Sequence, residues 1–237
     1  MLGMAFLSGI SDTISSNPLA WKRLTAFAGY MNLAHPKTVM IGVGPLSIAE
    51  VVAVSRYHAP VALSPDAREA IAASRSVIDD LAHDVRPHYG VSTGFGALAT
   101  KHIAPDQRVQ LQRSLVRSHA ASSGAEVDGE VVRGTMLLRL STMATGRTGV
   151  RPVVAETYAA LLNAGITPIV GEYGSLGCSG DLAPLAHCAL AVMGEGEVRV
   201  AGEKLTAAAA LADAGIEALV LHEKEGLALI NGTDGML

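Results

Sequence analysis

Aromatic and charged residues are both scarce in this 237-residue chain. Phe, Tyr and Trp make up 4% of the residues, and Asp, Glu, Lys and Arg make up 17%, below the roughly 25% charged content of ordinary soluble domains. The core must therefore be built from Ala, Leu, Val and Ile, which favours closely packed helices. So few charges also suggest that much of the surface meets other subunits.

Several protein classes are disfavoured by what is missing. Two cysteines, Cys178 and Cys188, are too few for a disulfide framework and indicate a reducing compartment. Lys and Arg (18) do not outnumber Asp and Glu (22), so there is no basic excess to bind nucleic acid. No run reaches the roughly 18–20 apolar residues that span a bilayer, and the apolar N-terminus lacks the positive charge that starts a signal peptide. We expect a cytoplasmic protein that binds neither nucleic acid nor membrane.

Start and stop signals predict a mainly helical chain in three regions. Residues 1–38 form an extension of uncertain structure, 39–105 a region with some strand, and 106–237 a helical region. Strands are expected at 39–43 and 166–170 and a hairpin at 197–205. Helices are expected at 47–56, from 64 until Pro87, and at 106–120, 128–145 and 152–163. A glycine-rich loop at 171–180 is expected to lead into a helix that runs to about 193, and further helices are expected at 206–214 and 223–230.

The most informative segment is 174–187, Gly-Ser-Leu-Gly-Cys-Ser-Gly-Asp-Leu-Ala-Pro-Leu-Ala-His, which opens a predicted helix. Gly180 has no Cβ, so its nitrogen can approach the carbonyl carbon of Cys178. Ring closure with loss of water, and loss of the Ser179 hydroxyl, would give a methylidene-imidazolone with an electrophilic carbon. The commoner use of such a sequence is a tight turn in which Ser179 or Asp181 caps the helix. A serine-hydrolase elbow is disfavoured because Asp181 stands where that motif needs glycine.

Four ordered strings together resemble the histidine and aromatic amino-acid ammonia-lyases. One is the segment just described, which is similar to the prosthetic-group signature of that family. The others are Tyr89-Gly-Val-Ser-Thr-Gly-Phe-Gly96, Leu111-Gln-Arg-Ser-Leu-Val-Arg-Ser-His-Ala-Ala121 and Glu225-Gly-Leu-Ala-Leu-Ile-Asn-Gly-Thr233. The resemblance covers about residues 40–237. It implies a cap region containing helix and strand, followed by part of a long-helix bundle of the L-aspartase-like type. Because full-length relatives continue through a long helical half, we expect an N-terminal fragment.

The resemblance implies a prosthetic group made from the chain itself. Cys178, Ser179 and Gly180 would cyclise autocatalytically into 4-methylidene-imidazol-5-one (MIO), with Ser179 supplying the methylidene carbon. Cys178 stands where the family more often has alanine, but only its backbone enters the ring. Asp181 would either help the cyclisation or cap the following helix. Neither a metal nor a nucleotide is implied.

Four further residues receive roles from the resemblance. Tyr89 would take the β-proton of the substrate, which requires a site that favours phenolate. Asn231 would hydrogen-bond near the prosthetic group, where negative charge builds. Ser118 and His119 match the pair of the histidine-specific members, where phenylalanine-specific relatives carry Phe-Leu. Without the resemblance, Tyr89 could anchor a glycine loop, Asn231 could end a helix and His119 could be a core histidine.

The implied reaction is elimination of ammonia from L-histidine to give trans-urocanate, the first step of histidine degradation. The electrophile would bond either the amine or the imidazole ring, and full-length relatives are homotetramers. Two alternatives stay open: an aromatic ammonia-lyase or aminomutase, and a non-catalytic truncated remnant that only associates with complete subunits.

Two residues depart from the family pattern, and one weak nucleotide motif is disfavoured. Ser92 replaces a common asparagine, and Ser122 replaces the usual glycine shortly after His119. Residues 42–47 carry only two glycines of the dinucleotide fingerprint, and we expect no βαβ unit there. The eight histidines show no zinc-binding spacing, so no metal site is predicted.

Overall fold

Helices dominate the computed structural model, which describes residues 37–175 and 180–235. Within those ranges the helices are α1 (Ile48–Ser55), α2 (Pro65–His83), α3 (Pro105–His119), α4 (Gly129–Ala144), α5 (Pro152–Asn163), α6 (Leu182–Val192), α7 (Ala207–Asp213) and α8 (Glu225–Ile230), with a 3₁₀ turn at Gly96–Leu98. The strands are β1 (Val39–Ile41), β2 (Val61–Leu63), β3 (Ser123–Glu126), β4 (Thr167–Pro168), β5 (Gly171–Tyr173), β6 (Glu197–Val200) and β7 (Glu203–Thr206). The predicted mainly helical class is confirmed. The predicted extension 1–38 lies outside the described residues except for its last two.

Side-chain caps account for where several helices begin. Ser47 accepts a hydrogen bond from the Glu50 N–H, and the Glu50 carboxylate accepts one from the Ser47 N–H at 2.7 Å, which completes a capping box. Ser64 caps α2 ahead of Pro65, and Thr206 caps α7. The predicted starts of these three helices are confirmed.

The first strands and helix form a small βαβ unit, so our expectation that none follows residues 42–47 is wrong. β1 and β2 pair in parallel with Val39 opposite Val61, and α1 connects them. β1 lies within the strand predicted at 39–43, but β2 is only three residues long and no sequence pattern predicted it. The first turn of α1 is occupied by the Glu50 carboxylate, whose charge would repel a phosphate at that helix start.

The core is aliphatic and centred on α4. Leu137, Leu140 and Met143 of this helix are fully buried, as are Leu161 of α5 and Leu185 of α6. Alanines between them let the helices approach closely, as the composition predicts. No helix in the described ranges is long and apolar enough to cross a membrane.

The strands near the glycine-rich segment differ from prediction. Gly171–Tyr173, which we expected to begin a loop, forms β5 and pairs antiparallel with β3, with Ser123 opposite Tyr173. All four β3 residues are exposed, so no hydrophobic alternation marks that strand. The strand predicted at 166–170 is reduced to Thr167–Pro168. The hairpin predicted at 197–205 is confirmed as β6–β7.

Candidate active site

The Tyr89 loop is held by its backbone and by two buried hydroxyl residues. The His88 carbonyl accepts hydrogen bonds from the N–H groups of Val91, Ser92 and Thr93. Ser92 Oγ accepts one from the His88 N–H at 3.0 Å, so the residue that replaces asparagine still makes a loop contact. The Tyr89 side chain itself is 55% exposed and packs edge-to-face on Phe95. The loop is therefore anchored by Ser92 and Thr93, and the phenol projects from it.

Ser118 and His119 occupy the last turn of α3. The Leu115 carbonyl lies 2.9 Å from His119 Nδ1 and also accepts the Ser118 hydroxyl at 2.8 Å. A carbonyl can only accept, so the neutral imidazole carries its proton on Nδ1 and its lone pair on Nε2. The ring is half-buried. This arrangement aims a fixed acceptor away from the helix backbone, which suits recognition of a ligand N–H group.

Gly180 and Asp181 stand directly before α6. Cys178 and Ser179 lie outside the described residues. Asp181 is fully buried and stands at the N-cap position, but its carboxylate makes no cap hydrogen bond to α6. Instead it accepts the Ser175 hydroxyl at 2.9 Å and the Gly235 N–H at 2.7 Å. The carboxylate therefore ties the glycine-rich segment to the chain that follows Asn231. Its role in cyclisation stays a prediction.

Asn231 is an exposed residue at the C-terminal end of α8. Its N–H donates to the Leu227 carbonyl, so its backbone does end the helix. Its carbonyl accepts a hydrogen bond at 3.3 Å from Nη1 of Arg139, which reaches it from α4. Asn231 is thus placed by a side chain from another helix as well as by its own.

The fold brings all four sequence strings together, pair by pair. Leu227 of α8 packs against Gly90 of the tyrosine loop, since a Cβ on Gly90 would lie 2.9 Å from Leu227 Cδ2. The Gly226 N–H donates to Gln112 Oε1 of α3 at 2.8 Å. The glycine-rich segment makes two further contacts. Its Gly174 packs against Ser122, which follows α3, and its Asp181 accepts a hydrogen bond from Gly235, which follows α8.

Comparison with known proteins agrees with this convergence. The family described as aromatic amino acid lyase matches residues 46–237. The chain belongs to the aromatic amino acid lyase family. Histidine ammonia-lyase of Streptomyces coelicolor is 59% identical over 207 residues, covering 84% of this chain and 39% of that protein. Among solved structures, tyrosine aminomutase of Streptomyces globisporus is 39% identical with a TM-score of 0.78, covering 84% of this chain and 37% of that one. Histidine ammonia-lyase of Trypanosoma cruzi is 34% identical with a TM-score of 0.76, covering 84% and 38%.

The chain spans about two fifths of the length of these relatives: it covers 39% of the curated Streptomyces proteins that it matches. The predicted family and its fold are confirmed by these matches. They do not distinguish histidine from aromatic substrates by fold, because an aminomutase and an ammonia-lyase each superimpose on 84% of the chain.

The residues around the glycine-rich segment fit the prosthetic group of this lyase family. Gly180 has a φ of +88°, in the left-handed region that only glycine adopts without strain. Asp181 holds the adjoining backbone in place through two hydrogen bonds that cross the segment. In the described ranges, no group of three or more His, Cys, Asp and Glu residues could hold a metal ion.

Two buried ion pairs of this chain were not predicted from the sequence. Arg139 is 2% exposed and pairs with Asp234, which also accepts the Thr142 hydroxyl. Glu225, fully buried, accepts from Arg151 Nε at 2.8 Å and fixes the start of α8. For the Arg139 pair, the one available sequence signal was the arginine itself, a charged residue inside the apolar run Met-Leu-Leu-Arg-Leu of α4. Its partner lies 95 positions away, so no local pattern indicates it.

Burial shifts the pKa of two neighbouring groups on α6. It lowers the pKa of His187, which favours the neutral imidazole. It raises the pKa of the Cys188 thiol to about 12, so this sulfur stays protonated and unreactive at neutral pH.

Proposed function

We propose that the protein carrying this chain is a histidine ammonia-lyase that converts L-histidine to trans-urocanate and ammonia. The observation that carries the proposal is the convergence of the four strings, in which Ser122, three residues after His119, packs against Gly174 at the start of the glycine-rich segment. The 59% identity to the Streptomyces coelicolor enzyme supports the same substrate. So does the Ser118–His119 pair, which stands where phenylalanine-specific relatives carry Phe-Leu.

The prosthetic group of this proposal is MIO formed from Cys178, Ser179 and Gly180. Once formed, it supplies an electrophilic methylidene carbon that can bond the substrate and ease departure of the amine. The left-handed backbone of Gly180 and the two hydrogen bonds of Asp181 support this assignment, because cyclisation needs the glycine nitrogen held close to the carbonyl two residues back. We assign Asp181 the role of fixing that backbone.

The remaining steps belong to side chains of the chain. Tyr89 takes the β-proton of the substrate, and its projection from a loop anchored elsewhere leaves the phenol oxygen accessible to do so. His119 accepts a hydrogen bond at Nε2 from the imidazole N–H of histidine, with Ser118 beside it. Asn231 stabilises the negative charge that builds during elimination. Phenylalanine has no ring N–H, so it would leave the His119 acceptor unpaired.

We further propose a cytoplasmic homotetramer, in keeping with the low cysteine and charge content. Two other functions compete. The tyrosine aminomutase match favours a lyase or aminomutase acting on aromatic amino acids as the second candidate. The third candidate is a non-catalytic chain that only associates with complete subunits.

A substrate panel on the purified protein decides among these functions. Urocanate release from histidine is compared with cinnamate and coumarate release from phenylalanine and tyrosine, and β-amino acids are assayed as aminomutase products. Histidine should be preferred, and the double variant S118F/H119L should lose that preference while retaining the mass change that marks MIO formation. Preference of the unsubstituted protein for phenylalanine or tyrosine would refute the histidine assignment. MIO without turnover of any substrate would favour the associating chain.

A further inference from the structure

Ser122 connects the end of α3 to both sides of the glycine-rich segment. It lies three residues after His119, beyond the end of the helix. Its N–H donates to Nε2 of His187 at 3.2 Å, and its Oγ accepts the Gly171 N–H at 2.8 Å. His187 is the last residue of the segment 174–187 and stands on α6, whereas Gly171 stands on β5 before the segment. One residue therefore connects three separate elements.

The hydrogen bond from Ser122 defines the protonation state of His187. A backbone N–H can only donate, so Nε2 must carry a lone pair. His187 is thus neutral, with its proton on Nδ1, and burial of the ring favours the same form. A side chain with no acceptor at this position would leave the Ser122 N–H unpaired in a partly buried place.

Packing leaves Ser122 little room to move. Gly174 has a φ of +145°, and a Cβ placed on it would lie 3.1 Å from both Cα and Cβ of Ser122 and 3.2 Å from Cβ of Ala183. Ser122 is therefore in close contact with Gly174, which also lies near Ala183 in the first turn of α6. The hydroxyl that binds Gly171 exists only because this chain carries serine where the family usually has glycine.

We propose that His187 is a positioning residue: through Nε2 it holds Ser122, and with it the Ser118–His119 end of α3, at a fixed place relative to the start of α6. The inference rests on the proposed function, because His119 is there the residue that binds the substrate imidazole. His187 touches neither substrate nor prosthetic group in this account. Its loss should weaken substrate binding more than it slows the chemical step.

The test compares side chains that place an acceptor differently. Glutamine carries its oxygen as many bonds from the backbone as His187 Nε2, whereas asparagine carries it at the distance of Nδ1, and leucine has no acceptor. H187Q should keep KM for histidine within about threefold of the unsubstituted protein. H187N and H187L should raise KM by about tenfold, the effect of about one misplaced hydrogen bond, with kcat reduced less than threefold. The matched control is H83L, the same change at an exposed histidine of α2, which should leave both constants unchanged.

Each result has a definite meaning. Equal KM values for H187Q, H187N and H187L, or a fall in kcat with KM unchanged, would overturn the inference and leave the proposed function standing. Failure of the unsubstituted protein to release urocanate would instead overturn the proposed function, and with it the claim that His187 positions a substrate-binding residue. If H187L does not fold, the comparison of H187Q with H187N decides alone, since both are neutral, polar amides.

Discussion

Replacing Arg139 with methionine tests how firmly α8 and the residues after it are held. Methionine keeps an unbranched apolar stem and removes only the guanidinium. In the native chain that group donates to the carbonyls of Ala228 at 3.1 Å and Asn231 at 3.3 Å and pairs with Asp234. The variant leaves both carbonyls without this donor and the Asp234 carboxylate, whose side chain is 9% exposed, without its cation.

The size of the effect follows from that buried carboxylate. Removing one partner of a buried ion pair costs about 3–5 kcal/mol, because the remaining charge is uncompensated. We expect R139M to lower the free energy of unfolding by this amount. The double variant R139M/D234N removes the charge as well and should recover about 1–2 kcal/mol relative to the sum of the single variants.

Urea denaturation of the 237-residue chain, followed by far-ultraviolet circular dichroism, measures these differences. Hydrogen exchange in the peptide 228–235 should rise in R139M, since Ala228, Asn231 and Asp234 lose their contacts with Arg139. R147M, the same substitution at an exposed arginine just after α4, is the control and should change stability by less than about 0.5 kcal/mol. A loss below about 1 kcal/mol for R139M, or strict additivity in the double variant, would refute the reasoning.

Three other buried groups give independent predictions. Cys188, buried and with its pKa raised to about 12, should resist iodoacetamide at pH 8 until the chain is unfolded, as peptide mapping would show; modification in the folded chain would contradict this. Y158F should be neutral or stabilising by up to about 1 kcal/mol in thermal unfolding, because the buried hydroxyl of Tyr158 has no hydrogen-bond partner among the residues that the structure describes; a loss above about 1 kcal/mol would show that it has one. E225Q should destabilise the chain by about 2–4 kcal/mol, because it leaves the Arg151 guanidinium without its buried carboxylate, and an unchanged urea midpoint would argue against that.

The helices were predictable because their signals are local. Ser47 and Ser64 cap helices whose first turns contain the expected Glu and Pro, so a few neighbouring residues decide where each begins. The strands were predicted less well. β3 is an exposed Ser-Gly-Ala-Glu stretch whose pairing with β5 depends on a contact about 50 residues away. The βαβ unit was missed because its second strand, β2, has only three residues and leaves almost no pattern, although its first strand was predicted.

The candidate site likewise has residues that the sequence indicated and contacts that it did not. Tyr89, His119 and Asn231 were singled out because each stands in a string similar to a known family. Two connections that place such residues were not predicted: Arg139 with Asp234, and Ser122 with His187. These partners lie 95 and 65 positions apart, and only the packing of α3, α4, α6 and α8 brings them together. Sequence similarity therefore indicated the candidate reacting groups, and the structure was needed to find the side chains that contact the elements carrying them.

The most direct test of the whole account is the mass of the peptide that contains residues 178–180 of the purified protein. Formation of MIO predicts a mass lower than that of the encoded residues by two water molecules, and the S179A variant should show no loss of the serine hydroxyl and no MIO absorbance. The full encoded mass in the unsubstituted protein, with all three residues joined by ordinary peptide bonds, would contradict the account.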